Sequence, residues 1–369
     1  MNDALETLAQ RYWDLRLETK PSMAPIEGDF RFCGDIEDWS TRHETATRAR
    51  LAALLDEVRA LDSTVLSLAE EITAGLLISE LSDEIESIDL RTIELASDQM
   101  TGPHVMYLQL PPQTAYPDPS CAAQVPDRYR QMPDALSGLV QRFRQGLDAG
   151  RTPARLCIER SLMQIDGYLA TDTADDVFTT VGAPADWDGE TSWRATLAEA
   201  VAQHVRPAYA RLRDELNDEL LPAARDDEHA GMCHLADGAE LYDAAVRRHT
   251  SLQVGAEEIH HIGLDEIAGL ADEYRELGSL HFGTTRLEEI FEHLRFDADL
   301  RYDNRAEILD AATDSLARAK GRMGDWFGVV PQADCVIEPV PQFMEAAMPP
   351  AYYWPPGPEG DRPGTYLSL

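Results

Sequence analysis

The sequence predicts a mainly α protein, a multi-helix body with a small, incomplete β-sheet at its C-terminus. Three observations lead there. Apolar residues recur at helical spacing through most of the chain as far as Met323. One stretch, Gln99 to Pro133, loses that period and holds seven prolines. After Gly324 the pattern becomes short alternating runs closed by Pro and Gly, the pattern of half-buried strands. The domain reading is a helical domain over 1–325 and the start of a small sheet-containing subdomain over 326–369.

Taken in order, Leu5, Leu8, Tyr12 and Leu15 mark one face of a first helix that ends before Pro21. Leu51, Leu54, Leu55, Val58 and Leu61 mark a second. Leu66 through Leu95 continues helical, with Ile72, Leu76, Ile85 and Ile88 on its stripe and a break near Ser82-Asp83. The proline-rich stretch reads as a long irregular connection. Asp148-Ala-Gly150 closes the helix after it, and Thr152-Pro153 is a start signal, a capping residue followed by Pro in the first turn.

Ser192 to Leu221 reads as one long helix kinked at Pro207. Gly238–His249, Ala256–Leu277, Thr285–Leu294 and Asn304–Met323 complete the helices, with Gly278 and Gly324 as C-terminal glycines. Ala333 to Glu338 and Ala351 to Trp354 are the first two strands, and a third begins at Gly364.

Charge narrows the function classes. Sixty-seven acids face 32 bases, a net charge of -35, and only Lys20 and Lys320 are lysines. Such a surface repels phosphate backbones and anionic lipid, so neither nucleic acid nor membrane is expected as a partner. Self-repulsion of this size is relieved when salt shortens the screening length to about 3 Å near 1 M, which predicts a salt-rich, halophilic cytoplasm. The five cysteines are scattered and odd in number, without C-x-x-C spacing, as in a reducing compartment. Acids near the N-terminus, where a signal peptide is positive, and the lack of a long apolar run also point to a cytoplasmic location.

Several chemistries have no motif here. The one His-Glu pair, His43-Glu44, is followed by Thr47 where H-E-x-x-H needs its second His, and no G-x-S-x-G, P-loop or G-x-G-x-x-G occurs. Glu257-x-x-His260 and Glu258-x-x-His261 have the spacing of di-metal helix bundles. Adjacent histidines cannot both enter one interior site, however. The stripe Ile259, Ile262, Gly263, Ile267, Leu270 and Tyr274 defines the buried face, with His260 at its border and His261 in solvent. Glu289 and His293, four apart, read as a surface pair. Tyr352, Tyr353 and Trp354 either line a peptide cleft or pack the sheet onto the helices.

A series of blocks in fixed order carries a resemblance. They are Tyr209-Ala-Arg-Leu-Arg213 with Glu219-Leu-Leu-Pro222, Leu235-Ala-Asp-Gly238 with Leu241-Tyr242, and Arg248-His-Thr250. Glu257-Glu-Ile-His260 with Gly263-Leu264 follows, then Phe327-Gly328, Val340-Pro341 and Arg362-Pro-Gly364-Thr-Tyr366. Together they resemble domain-of-unknown-function family 885, grouped with the zincin metallopeptidases, from about residue 150 onward.

The resemblance implies a helical fold with a small sheet beside the active site. It also implies a His-Glu-x-x-Pro-Gly-His-His signature soon after the Arg-Pro-Gly-Thr-Tyr strand, whose edge would bind extended peptide through Gly364 to Leu367. In the complete family member zinc activates water and the Glu is general base. That signature is not in this sequence, so neither catalytic nor metal residues carry over.

The resulting expectation is the N-terminal, cleft-forming part of a zincin-like peptidase, inactive alone and without a cofactor of its own. Its partners are a peptide substrate and a complementing C-terminal chain, and association through 326–369 is expected from bare apolar surface. The candidate substrate-binding residues are Tyr352, Tyr353, Arg362, Gly364, Thr365 and Tyr366. The alternative is a non-catalytic helical binding or scaffold protein that has lost the metal site.

Overall fold

The computed structural model describes residues 2–340, 351–357 and 363–368. The protein is mainly α, with a three-stranded sheet near its C-terminus. Its residues gather into two compact units. The first runs to Ala236, and the second comprises Asp237–Val340 with the strand residues that follow.

The first unit opens with a three-helix layer: α1 (Asp3–Thr19), α2 (Thr41–Arg59) and α3 (Leu68–Asp89). Leu5, Leu8, Tyr12 and Leu15 pack on Leu51, Leu54, Leu55 and Val58, as their spacing predicts. On α3 the buried residues are Ala74, Leu77 and Leu81, whereas Ile72 and Leu76 are exposed. The expected break at Ser82 does not occur. Its hydroxyl donates to the Ile78 carbonyl one turn back, a bond the helix tolerates in its interior.

The proline-rich stretch is not an irregular connection. It forms α4 (Pro103–Gln109), α5 (Pro119–Ala122) and the first third of α6 (Val125–Asp148). Pro103, Pro119 and Pro126 sit in first turns, where a missing N–H costs nothing, and Pro133 lies inside α6. Gly150, at φ 72°, follows the end of α6. α7 is Arg155–Ala170, capped at Ala154 rather than Thr152. The intended cap is drawn into another pairing: the Thr152 carbonyl accepts from Arg225 Nε at 2.8 Å, and the Pro153 carbonyl from Arg225 N–H at 2.9 Å.

The long helix after residue 190 is real, but it is not uniformly α. α8 (Glu190–Ala200) passes through a π turn at Val201–Val205 into α9 (Arg206–Glu215). A second π turn, Leu216–Leu220, leads into α10 (Leu221–Ala223). Pro207 and Pro222 each follow a π turn by two residues. Proline has no N–H to give to the preceding turn, and a locally widened turn absorbs the lost bond without ending the helix. Phe143 of α6, Tyr168 of α7, Leu197 of α8 and Tyr209 of α9 meet in the largest core. Tyr168 stands edge-on to Phe178 and Tyr209 within it.

The second unit holds α11 (Gly238–Thr250), α12 (Ala256–His281), α13 (Leu287–Phe296), α14 (Arg305–Trp326) and strands β1 (Cys335–Pro339), β2 (Ala351–Trp354) and β3 (Gly364–Ser368). Gly278 lies within α12, not at its end. A Cβ there would fall 2.2 Å from Ile290 Cδ1, so the glycine exists to let α12 and α13 approach. Gly283, at φ 72°, is the residue that follows the helix end. Gly324 is likewise inside α14.

The stripe on α12 read as a buried face is in fact exposed. Ile262, Leu264, Ile267, Leu270, Tyr274 and Leu277 are all solvent-accessible, and only Gly278 of this helix is buried. The sheet order is β1-β3-β2, with β1 parallel and β2 antiparallel to β3.

Candidate functional site

The candidate site is built on the sheet. Lys320 of α14 anchors the start of β1, its ammonium on the Asp334 carboxylate and 3.0 Å from the Cys335 carbonyl. Gly364 N–H donates to the Asp334 carbonyl at 2.8 Å, which starts β3 alongside. The register then sets Tyr353 opposite Tyr366, Tyr352 opposite Leu367 and Trp354 opposite Thr365.

Side chains alternate across a sheet. Tyr353, Tyr366 and Gly364 therefore share one face, and Tyr352, Thr365 and Leu367 share the other. Burial agrees with this: Tyr353 is 53% and Tyr366 38% exposed, whereas Thr365 and Leu367 are buried. A Cβ on Gly364 would lie 2.5 Å from the Tyr353 hydroxyl, so the Tyr353 ring rests directly on the glycine backbone. Tyr352 is half-buried, and burial raises its phenol above the ordinary value.

The six residues singled out in the sequence thus do not make one surface. Tyr353, Gly364 and Tyr366 come together as an exposed aromatic platform, while Tyr352 and Thr365 face the other way. Arg362 lies outside the described residues. The expected edge pairing of Gly364 to Leu367 with a peptide is also corrected. β3 is the central strand, hydrogen-bonded on both sides, so its backbone is already committed. The platform can stack on flat groups and donate from two phenols.

The E-x-x-H pairs do not converge. His261 Nε2 lies 3.3 Å from Glu257, one turn back on the exposed surface of α12, and His260 is exposed too. His293 does not pair with Glu289. Its Nδ1 lies 2.8 Å from Asp297, and its ring stacks on Phe282 at 4.8 Å. Glu289 instead accepts from Thr284 and Arg286. Among the described residues no three His, Cys, Asp or Glu side chains are grouped to hold a metal ion.

The first unit hides polar groups that the sequence did not flag. Glu94 is buried between Arg91 Nε at 2.7 Å and Arg151 Nε at 3.2 Å, with Arg142 Nη2 at 4.0 Å. Arg142 also reaches Glu44 at 2.8 Å, whose carboxyl is pushed up by burial against the pull of Arg142. Asp176, fully buried, accepts from Arg206 Nη1 at 2.9 Å, the Tyr168 hydroxyl at 3.1 Å and Phe178 N–H at 3.1 Å. His104 is fully buried, neither ring nitrogen has a hydrogen-bond partner among the described residues, and burial lowers it to about 4. These groups leave no local sign in the sequence, since each is defined by partners distant along the chain or by burial alone.

The family described as bacterial protein of unknown function (DUF885) matches residues 21–368. No curated protein matches the chain at a significant level. Two solved structures share the fold. One, from Colwellia psychrerythraea and described as a lipoprotein, superposes with a TM-score of 0.86 at 16% identity, over 100% of this chain and 68% of that one. The other, from Shewanella oneidensis and described as a lipoprotein of unknown function, gives 0.62 at 13% identity, over 99% of this chain and 64% of that one. The chain thus spans about two thirds of the length of each. No helix among the described residues is long and apolar enough to cross a membrane.

Proposed function

We propose a role for this chain from one premise: it belongs to the family of bacterial proteins of unknown function DUF885. In this reading the chain supplies the substrate-binding part of a zincin-like, metal-dependent hydrolase acting on short peptides. The observation that supports it is the platform of Tyr353 and Tyr366 over Gly364, on a strand pair that in this reading lies beside the active site. Exposed aromatic rings backed by a glycine suit the flat amide planes and apolar side chains of an extended peptide.

Zinc in such an enzyme needs at least three side-chain ligands. The described residues group no such set, so they do not fit the metal. We assign the ligands to further polypeptide, either continuous with this chain or a complementing second chain. The greater length of both structural neighbours supports that assignment. A cytoplasmic location is proposed on the five cysteines, all of them free thiols. Cys33 is pushed up to about 12 by burial and by its neighbour Cys121, which keeps it an unreactive thiol.

A second reading is a non-catalytic binding or scaffold protein, and the exposed apolar stripe of α12 favours it. Fluorescence anisotropy of labelled short peptides separates the two. The leading reading expects binding that is lost in Tyr353→Ala/Tyr366→Ala, and no hydrolysis by this chain alone. Binding unchanged in that double variant removes the platform from the argument. Peptide cleavage by this chain alone, abolished by a chelator, would overturn the assignment of the ligands elsewhere.

A further inference from the structure

Among the described residues the buried arginines face carboxylates, with one exception. Arg142 reaches Glu44 at 2.8 Å, Arg151 reaches Glu94 at 3.2 Å, and the largely buried Arg206 reaches Asp176 at 2.9 Å. Arg128 of α6 is 7% exposed, and among the described residues no carboxylate forms an ion pair with it. It binds three backbone carbonyls instead. Nε donates to Asp35 at 2.8 Å, and Nη2 donates to Phe32 at 2.7 Å and to Pro21 at 3.2 Å. These bonds consume Nε and Nη2, while Nη1 makes no hydrogen bond among the described residues.

Arg128 lines a cavity of about 30 Å³ in the first unit. Its other walls include Tyr107, Thr114, Tyr116, Tyr129 and Met132. Two of these hydroxyls are turned to other work: Tyr129 donates to the Phe178 carbonyl and Thr114 to the Leu110 carbonyl. Ser22 also lines the cavity, and its N–H and hydroxyl are both taken by Glu37 Oε1. Glu37 lies behind this wall, hydrogen-bonded to Ser22 and facing Tyr107, and among the described residues it makes no ion pair with Arg128. The guanidinium is thus the one full charge among the lining residues, set in aromatic and aliphatic walls.

A cation with no ion-pair partner among the described residues, in such surroundings, loses much of its hydration, and carbonyl dipoles only partly replace it. Aromatic walls also lower the local dielectric, which strengthens the pull on any anion that enters. We infer that this cavity binds a small monovalent anion at Arg128 Nη1, a carboxylate no larger than acetate or a halide of that size. The volume sets the upper limit: about 30 Å³ admits one or two water-sized groups. Two free N–H groups on one nitrogen suit a carboxylate oxygen or a single halide. Bulky or highly charged anions are excluded by the walls.

The test uses the full chain, wild type and Arg128→Met, at one fixed ionic strength in sodium gluconate. Formate, acetate or chloride is then exchanged for gluconate and Tm is recorded. The expected result is a saturable rise in wild type that is absent in the variant. A rise with formate and acetate but not chloride identifies a carboxylate site, and a rise with chloride as well identifies a general small-anion site. Equal responses in both proteins, or none in wild type, overturn the inference. Should Arg128→Met fail to fold, wild-type crystals grown in bromide decide. An anomalous peak within hydrogen-bonding reach of Nη1, removed by formate, supports the site, and no peak there overturns it.

Discussion

His104 should make the first unit lose stability between neutral and mildly acidic pH, and replacing it should abolish that loss. Its ring is fully buried, and neither nitrogen has a hydrogen-bond partner among the described residues. Burial holds it at about 4, against 6.5 for an exposed histidine. Above pH 6.5 the ring is neutral in both the folded and the unfolded chain, so it contributes no pH dependence. As pH falls below 6.5 the unfolded chain takes up a proton that the folded chain refuses, and folding weakens until about pH 4. At about 1.36 kcal/mol per pH unit, the gap is worth about 3 kcal/mol across that window.

His104→Phe keeps a planar ring and removes both nitrogens. Replacing unpartnered polar atoms by apolar ones is neutral or stabilising, so the variant should match or exceed wild type at pH 7.5. Urea unfolding midpoints, measured from pH 7.5 to 4, supply the test. The difference between the two proteins cancels the titration of the many shared carboxylates. Identical pH slopes would refute the reasoning, because they mean that the folded ring takes up its proton as readily as the unfolded one.

Other outcomes follow from the same structure. Asp176→Asn leaves the Arg206 guanidinium facing a neutral amide in the core and should cost about 3–5 kcal/mol, read as a drop in Tm; a loss below about 1 kcal/mol would show that the Leu169 and Thr171 carbonyls suffice. Gly364→Ala places a methyl group against the Tyr353 ring, and should weaken peptide binding by displacing the platform while leaving unfolding of the first unit unchanged. If the net charge of -35 marks a protein adapted to salt, Tm should rise steeply between about 0.1 and 2 M KCl; equal values reject that reading.

Helical periodicity revealed α1 and α2 because their stripes are regular and pack on each other. It failed where one residue type serves two purposes. Pro126 and Pro133 looked like breakers, yet the first begins α6 and the second is tolerated within it. Gly278 looked like a helix stop, but it makes room for Ile290. The stripe on α12 was legible as apolar, but a stripe does not reveal what covers it. Strand order was equally hidden, since local alternation is the same in an edge strand and a central one. That is why β3 was read as an edge. Of the candidate site, the tyrosines and Gly364 were visible as an aromatic group beside a glycine. Their division between two faces awaited the register. Arg128, His104 and Asp176 left no pattern, because each depends on partners dozens of residues away or on having none.

The central position of β3 has a consequence for how this protein is made. Among the described residues β1 and β2 pair with β3 and not with each other, so their strand partner is missing until residues 364–368 leave the ribosome. At about 5–20 residues per second, β1 waits a few seconds with its amides open to whatever lies nearby. Nascent-chain proteolysis should find this region cleavable until β3 emerges, and protected soon afterwards.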